Sequence, residues 1–232
     1  MSVENRLLPE SVWVVVAAYN EAGRIGRVLD DLLCVVQSVV VVDDGSRDET
    51  AQKVLQRPVW LLEHPTNLGQ GAALQTGIDF ALSRGAEYLV TFDADGQHAA
   101  DDIPALITTL ARQGADFALG SRFLGRAEGL PWMRRLVLRL AVLFTRLTSG
   151  GSLTDTHNGL RAMTRRGAGR IRITLNRMEH ASQIVDQILA SGLSYVEVPV
   201  RVKYTQESLA KGQRTADAVR LGVKLLVEKM FQ

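Results

Sequence analysis

Cysteine is almost absent from this sequence of 232 residues, which contains only Cys34. One cysteine cannot form an internal disulfide, and this composition is typical of proteins that work in a reducing compartment. Because Cys34 lies in an apolar stretch, residues 32–36, we expect it to pack in the core and not to act as a nucleophile.

Long apolar runs are also missing. No segment approaches the ~20 consecutive apolar residues that a membrane-spanning helix needs. The best candidate, residues 136–147, is interrupted by Arg139 and Arg146. The first ten residues lack the basic region and apolar run of a signal peptide. We therefore expect a cytoplasmic protein without membrane spans.

Aromatic residues are scarce, at 6%, but hydrophobic residues reach 46%, which is enough for an ordinary globular core. The charge is unevenly distributed. Residues 1–120 contain 8 Lys and Arg against 17 Asp and Glu, and residues 121–232 contain 19 against 8. The acidic half suits a divalent cation, and the basic half suits phosphates, anionic lipid or nucleic acid. Nucleic acid is disfavoured because few aromatic residues interleave with the cations.

Short apolar runs alternate with helical patterns through the first half. The predicted strands are 12–18, 39–42, 59–62, 88–92 and 117–119, and the predicted helices are 22–35, 48–55, 71–83 and 103–112. This alternation predicts βαβ units and a mainly parallel sheet, which is an α/β fold. The length fits one such domain with a modest extension.

The second half is less regular. Helices are predicted over 132–149 and 179–190, and a strand is predicted over 195–200. Residues 154–166 fit a loop that could include a short strand. Residues 201–215 are polar and predict a flexible loop, and residues 216–232 predict an amphipathic helix. We favour packing or self-association into a homodimer as the role of this last helix.

Polar clusters follow three of the predicted strands. They are Tyr19-Asn20-Glu21, Asp43-Asp44-Gly45-Ser46 and Asp93-Ala94-Asp95-Gly96-Gln97. Ligands of parallel sheets bind beyond the carboxyl ends of the strands, so the three clusters should meet at one rim. Asp93 and Asp95 offer hard oxygen ligands that suit Mg²⁺ or Mn²⁺, and Gln97 can add a neutral oxygen. A cation held there would neutralise a departing diphosphate.

Each cluster also has a simpler interpretation. The two aspartates fit a solvated turn, Asn20 fits a helix N-cap, and the second cluster fits a turn that caps a helix near Asp48. His98 fits a loop residue that forms hydrogen bonds. The occurrence of all three clusters at strand ends of one sheet favours a functional site.

Five ordered motifs resemble those of family 2 glycosyltransferases of the GT-A fold. They are A-A-Y-N-E (17–21), V-V-D-D-G-S-R-D-E-T (41–50), N-L-G-Q-G-A-A-L (67–74), D-A-D-G-Q-H (93–98) and G-S-R-F (120–123). The resemblance is strongest to the dolichyl-phosphate mannosyltransferase-like enzymes, which make polyprenyl-phosphate sugars. It implies inverting, metal-assisted transfer from a UDP- or GDP-sugar to a polyprenyl phosphate at the inner face of the cell membrane. It also implies a catalytic domain over 1–215, followed by the helix 216–232.

The resemblance also implies roles for individual residues. Nucleotide-sugar contacts are implied for Ala18, Tyr19, Glu21, Asp44, Gly69, Asp93 and Lys211, the last in a flexible loop that closes over the donor. The resemblance implies three ligands for Mg²⁺ or Mn²⁺, namely Asp93, Asp95 and Gln97. Catalytic roles are implied for Asp95, Arg122, Asp155 and Arg161, with Arg122 reaching the phosphates, and Asn158 is implied near the acceptor.

The chain departs from the family at two points. Gln70 replaces the usual basic residue of the N-x-G-K-G motif, so no ionic phosphate contact is expected there. Many members carry transmembrane helices after the catalytic domain, and none is predicted here. Membrane association must then come from the domain itself or from a membrane-protein partner.

The predicted helix over 132–149 bears on the acceptor. Leu136, Leu140, Leu143 and Leu147 share one face, arginines flank it, and Trp132 is a typical interface anchor. This pattern predicts a helix that lies among lipid headgroups, and a core helix with a solvated basic face is the alternative. A lipid phosphate is already anionic and needs no strong base. A hydroxyl acceptor would need one, for which Asp155, Glu179 and His180 are candidates.

Three other functions are alternatives to transfer to a lipid phosphate. A family 2 glycosyltransferase with a hydroxyl acceptor, in cell-envelope polysaccharide or glycolipid synthesis, is the main alternative. A nucleotidyltransferase would carry a glycine-rich basic loop after its first strand, which residues 17–27 do not resemble. A non-catalytic membrane or nucleic-acid binding module is suggested by the basic second half, but that half is poor in aromatic residues and rich in leucine.

Overall fold

A computed structural model describes residues 7–149, 153–177 and 179–204. Its strands are β1 (Val12–Ala18), β2 (Ser38–Asp43), β3 (Trp60–Glu63), β4 (Tyr88–Asp93), β5 (Phe117–Glu128), β6 (Arg161–Thr164) and β7 (Tyr195–Lys203). Its helices are α1 (Ile25–Leu33), α2 (Thr50–Leu55), α3 (Gln70–Ser83), α4 (Ile103–Gln113), α5 (Trp132–Ser149), α6 (Arg165–Ala168) and α7 (His180–Ala190). The predicted α/β fold is confirmed.

The strands form one seven-stranded sheet in the order β3-β2-β1-β4-β6-β5-β7. Strands β1 to β4 are mutually parallel, and β7 is parallel to β5. Strand β6 is antiparallel to both of its neighbours, β4 and β5. The sheet is therefore mainly parallel, as predicted, with one late strand running against the others.

Both faces of the sheet are buried, which explains the uninterrupted apolar run of β1. Val14 and Val16 pack in the cluster that contains the apolar residues of α1 and α4. Trp13 and Val15 pack in a second cluster with α3 and α7. A strand covered on two faces has no polar side, so it lacks the alternating pattern of a half-exposed strand.

Helix α5 differs from the other long helices because its leucine face is uncovered. Leu136, Leu140 and Leu143 are 47%, 55% and 52% exposed, and Trp132 is 74% exposed. The alternative of an ordinary core helix is therefore wrong for these side chains. Within the described ranges, no helix combines the length and the apolar character needed to cross a membrane.

Two local predictions are wrong. Cys34 is exposed at the end of α1, where its Sγ donates to the carbonyl oxygen of Asp30 at 3.3 Å. The helical period explains this: Leu32 faces the core, and position 34 follows on the outer side. Asn20 does not cap α1, which begins five residues later. It has a positive φ of 54°, and its Oδ1 accepts a hydrogen bond from Arg47 N at 2.8 Å.

Strand β5 is longer than predicted because it continues past an irregularity between Ser121 and Arg126 and pairs again with β7. The loop predicted over 201–215 is wrong for residues 201–203, which belong to β7 because they pair with the continued β5. The rest of that loop from residue 205, including Lys211, and the helix predicted over 216–232 lie outside the described residues. The division of the chain at residue 215 stays a prediction.

Candidate active site

The carboxyl ends of β1, β2 and β4 meet at one edge of the sheet. The strand register places Ala18 beside Asp43 and Ala17 beside Asp93. A cavity of about 360 Å³, here called the rim cavity, opens at this edge. Six residues predicted for the donor or the metal line it: Ala18, Tyr19, Glu21, Asp44, Gly69 and Asp95. Gln70 and Arg177 line it as well.

The loops that follow β1 and β2 are tied to each other at this rim. The backbone N–H of Asn20 donates to Ser46 Oγ at 2.9 Å, and that of Glu21 donates to Thr50 Oγ1 at 2.8 Å. The side chain of Asn20 also binds the second loop, because its Oδ1 accepts a hydrogen bond from Arg47 N. These bonds explain why small polar residues follow both strands.

The Asp44 carboxylate is 2% exposed and binds the loop that leads into α3. Its oxygens accept hydrogen bonds from Leu68 N at 2.9 Å and Gly69 N at 2.7 Å, and His64 Nδ1 lies 2.8 Å away. Gly69 has a φ of 107°, a conformation that favours glycine. Asp44 therefore shapes the rim cavity as well as lining it. Sequence reasoning missed His64, whose Nε2 lies 3.0 Å from Thr76 Oγ1.

Asp93 lies at the end of β4 and is held from three sides. Its Oδ1 accepts a hydrogen bond from Gln70 Nε2 at 2.9 Å, and its Oδ2 lies 3.2 Å from His98 Nε2. Gly159 packs against the carboxylate so closely that an added Cβ would lie 2.6 Å from Cγ. Burial alone would raise the pKa of Asp93, but the hydrogen bond with His98 and the charge of Arg161 hold it below its ordinary value.

Asp95 lies two residues further along the same loop. Burial and the charge of Asp93 raise the pKa of its carboxyl group. Gln97 orients this carboxylate, since its backbone N donates to Oδ1 at 3.0 Å and its Nε2 donates to Oδ2. A cation bound between Asp93 and Asp95 would therefore stabilise the state in which both carboxylates are ionised.

The chemistry of these residues fits a hard divalent cation. In the part of the chain that the structure describes, no three His, Cys, Asp or Glu side chains gather into a cluster that could hold a metal. Asp93 and Asp95 would therefore supply two carboxylates, with substrate phosphate and water completing the coordination. Mg²⁺ is usually held in this way, through one or two carboxylates and substrate phosphates. Direct ligation by Gln97 stays a prediction.

A second buried cluster joins β5 to the loop that precedes β6. Arg122 is 8% exposed and Asp155 is 3% exposed. The Nε of Arg122 donates to Asp155 Oδ2 at 2.6 Å, its Nη2 donates to the carbonyl oxygen of His157 at 2.8 Å, and its Nη1 donates to the Tyr204 hydroxyl. Burial would lower the pKa of Arg122, but the charge of Asp155 raises it above its ordinary value. Most of the donors of this arginine are thus used within the protein.

The loop before β6 is held in turn by Glu197 of β7. Its carboxylate accepts hydrogen bonds from Thr154 N at 2.9 Å and from Asp155 N at 3.1 Å. Asn158 is also buried, and its Oδ1 accepts a hydrogen bond from Leu160 N at 3.0 Å. These side chains position Asp155 and do not leave it free to rotate.

Arg161 connects the two clusters. It is the first residue of β6, and because β6 is antiparallel, this residue lies near the carboxyl end of β4, where it pairs with Thr91, and beside Leu119 of β5. It is 3% exposed, and burial lowers its pKa to about 10, against the opposing charges of Asp93 and Asp155. It therefore remains positively charged at neutral pH, between the two aspartates.

Two histidines, the half-buried His157 and the buried His180, lie near Arg161 and are neutral at physiological pH. Burial lowers the pKa of His157 to about 4. Burial also lowers the pKa of His180, whose Nδ1 lies 2.6 Å from the carbonyl oxygen of Arg177. Glu179 directly precedes α7. Neither histidine adds a positive charge to the site.

A second cavity, here called the arginine cavity, lies between β5 and α5. Its volume is about 430 Å³. Three arginines line it together with apolar side chains: Arg122, Arg135, Arg139, Phe123, Val142 and Leu143. The sequence predicted a basic, leucine-rich helix here, but not that its arginines face Arg122 across a cavity.

The family of the chain follows from its similarity to known proteins. A family model described as "Glycosyl transferase family 2" matches residues 13–171. The chain belongs to glycosyltransferase family 2. This glycosyltransferase is 30% identical over 242 residues to the UDP-N-acetylglucosamine–dolichyl-phosphate N-acetylglucosaminyltransferase of Methanococcus voltae, covering 94% of the chain and 96% of the relative. It is 29% identical over 220 residues to the polyprenol monophosphomannose synthase of Mycolicibacterium smegmatis, covering 89% and 82%.

The fold of this glycosyltransferase is also that of known GT-A enzymes. It aligns with glucosyl-3-phosphoglycerate synthase of Mycobacterium tuberculosis, solved with Mn²⁺, uridine diphosphate and glucosyl-3-phosphoglycerate. The TM-score is 0.68 at 17% identity, over 94% of this chain and 79% of the other. The predicted family and the predicted GT-A fold are therefore both confirmed.

Proposed function

We propose that this glycosyltransferase transfers a sugar from a nucleotide-sugar to a polyprenyl phosphate at a membrane surface. The arginine cavity carries the proposal, because it combines phosphate-binding side chains with an exposed apolar face. The names of two relatives support it, since one acts on dolichyl phosphate and the other makes polyprenol monophosphomannose. The inner face of the cell membrane is the side that the sequence predicts.

The rim cavity would bind the donor. Ala18, Tyr19, Glu21 and Gly69 would contact the nucleoside, and Asp44 would hold the loop beside it. Asp93 and Asp95 would hold Mg²⁺ or Mn²⁺ near the diphosphate. When bound, such an ion stabilises the charge of the leaving diphosphate. The donor base is tested by a panel of UDP- and GDP-sugars.

The arginine cavity would bind the phosphate of the acceptor. Arg135 and Arg139 line it from α5, and Val142 and Leu143 supply apolar walls. Leu140 and Leu143 are more than half exposed on the same helix, where they would contact the lipid chain or the bilayer. Arginines next to an exposed apolar face suit a phosphate attached to a lipid better than a soluble sugar.

The state of Asp155 favours a phosphate acceptor over a hydroxyl acceptor. Its Oδ2 accepts a hydrogen bond of 2.6 Å from Arg122 Nε, an ion pair that stabilises the ionised carboxylate and makes it a weaker base. A phosphate monoester has a second pKa of about 6 and is already ionised at neutral pH. Its oxygen can form a bond to the anomeric carbon while the bond to the diphosphate breaks. The electron pair of that bond leaves with the diphosphate, and no proton has to be removed.

The chain's own contribution to this reaction is positioning and charge stabilisation. Arg161 would remain protonated between the donor and acceptor sides, where negative charge moves from one phosphate to the other. Arg122 and Asp155 would hold the acceptor side in shape. A single displacement of this kind inverts the anomeric carbon.

The proposal is tested by transfer of labelled sugar from UDP- and GDP-sugars into undecaprenyl phosphate, with Mg²⁺, Mn²⁺ or EDTA. We expect a chloroform-extractable product that disappears with EDTA. Arg139→Gln should lower its yield at limiting acceptor, whereas Arg172→Gln, an exposed arginine outside both cavities, should not. Metal-dependent hydrolysis of the donor without any lipid product would contradict the acceptor and point to a hydroxyl group in its place.

A further inference from the structure

Gln70 lines the rim cavity with a neutral amide and adds no positive charge to it. Its side chain turns to Asp93 and donates to Oδ1 at 2.9 Å. It therefore acts on the carboxylate, and as a neutral amide it cannot balance the charge of a diphosphate. The structure shows a cation entering the same cavity from another part of the chain, namely Arg177.

Arg177 stands in a segment that is fixed against the start of α3. Gly71 N donates to the carbonyl oxygen of Asn176 at 2.8 Å, and His180 Nδ1 lies 2.6 Å from the carbonyl oxygen of Arg177 itself. A Cβ on Gly69 would lie 2.8 Å from the carbonyl carbon of Asn176. Glycines in the N-L-G-Q-G motif thus allow this close approach, which brings Arg177 to the cavity that Gln70 lines.

The charges around the rim cavity require a cation of this kind. Glu21, Asp44 and Asp95 line it, and Asp93 lies at its edge. Among the described residues that line the cavity, Arg177 is the one with a positive charge. A divalent ion would be offset by the carboxylates of Asp93 and Asp95. Arg161, whose charge also acts on Asp93, does not line the rim cavity, so much of the negative charge of the donor diphosphate would be left for Arg177 to balance. Arg177 is exposed. None of the ion pairs between described residues includes it.

We propose that Arg177, as the cation among the described residues that line the rim cavity, binds the diphosphate of the donor. The inference rests on the proposed function, because it assumes that the rim cavity binds a nucleotide-sugar. An arginine also offers several N–H donors in a fixed plane, so it can bind two phosphate oxygens at once.

The test is calorimetric binding of UDP and GDP, with Mn²⁺, to the full chain. Arg177→Met removes the charge and keeps an apolar stem of similar length, and we expect about tenfold weaker binding, the size of one charge-assisted hydrogen bond. Arg177→Lys keeps the charge and should lose much less. Arg172→Met is the matched control, since this arginine lies on the same segment, pairs with Asp79 and does not line the cavity.

Rescue is the decisive comparison. In the double variant Gln70→Lys with Arg177→Met, the positive charge returns from the other side of the cavity, and most of the affinity should return with it. Binding by Arg177→Met equal to that of the wild type would overturn this inference alone. So would a loss of affinity that persists in the double variant while Gln70→Lys by itself binds as tightly as the wild type. A wild-type chain that binds neither nucleotide would overturn the donor site itself. Thermal melting of each variant shows that it is folded.

Discussion

Gly159→Ala tests whether the position of the Asp93 carboxylate controls the site. An added Cβ would lie 2.6 Å from Cγ and 2.8 Å from Oδ1 of Asp93, and closer still to Oδ2. Carbon atoms in contact are separated by about 3.5–4 Å, so the carboxylate or the loop must move by about 1 Å. Overpacking of this kind costs about 1–3 kcal/mol of unfolding free energy. A displacement of about 1 Å at a reacting centre can lower the rate about 100-fold.

We therefore expect Gly159→Ala to lose about 100-fold in kcat/KM for sugar transfer and about 1–3 kcal/mol in urea unfolding. Gly169→Ala is the control, because its Cβ would meet nothing closer than 3.4 Å. In an Asp93→Ala background the new methyl group meets no carboxylate, so adding Gly159→Ala should cost little more. Stability losses that simply add in this double variant, or wild-type turnover by Gly159→Ala, would refute the reasoning.

Three further predictions concern other parts of the molecule. Asp155→Ala leaves a buried arginine unpaired, and we expect a loss of about 3–5 kcal/mol in urea unfolding; a loss below about 1 kcal/mol would contradict the pair's structural role. Leu140→Asp combined with Leu143→Asp changes exposed side chains, so stability should hold while sedimentation with anionic liposomes falls; unchanged sedimentation would count against the membrane-facing helix. The hydrogen bond from Arg166 holds the pKa of Asp116 below its ordinary value. The ion pair between these two residues therefore stabilises the folded state above about pH 4, and this stabilisation is lost as the pH falls further and Asp116 becomes protonated. The difference in Tm between wild type and Arg166→Gln should accordingly shrink from pH 7 to pH 3, and a constant difference would contradict this.

The first half of the fold was predictable because its signals are local. Strand β1 shows the predicted bounds, since six of its seven apolar residues are buried, the other is half-buried, and the strand has no polar side. Strand β6 was not predictable in the same way. Its four residues, Arg161–Thr164, include an arginine and no alternating pattern, and they are a strand because they fill the gap between β4 and β5. That information is contained in the rest of the sheet.

The same distinction between local and distant information applies to the residues of the site. Asp44, Asp93 and Asp95 were predictable because strand ends of a parallel sheet converge by geometry. Arg177 and the partners of Arg122 were not, because distant segments bring them together. Gly159 is an example of a residue whose role is not predictable from local sequence. It contacts Asp93, which lies 66 positions earlier, and no local pattern indicates this contact.

The antiparallel strand β6 also has a consequence for the synthesis of the chain. Strands β4 and β5 are not paired to each other, and residues 161–164 must be made before the sheet can close between them. Until then the nascent chain presents two open strand edges, which readily pair with other chains. Pairings over such long sequence separations are also slow to form. A ribosome that stalls between β5 and β6 would therefore release an aggregation-prone fragment, even though most of the aspartates of the site had already been synthesised.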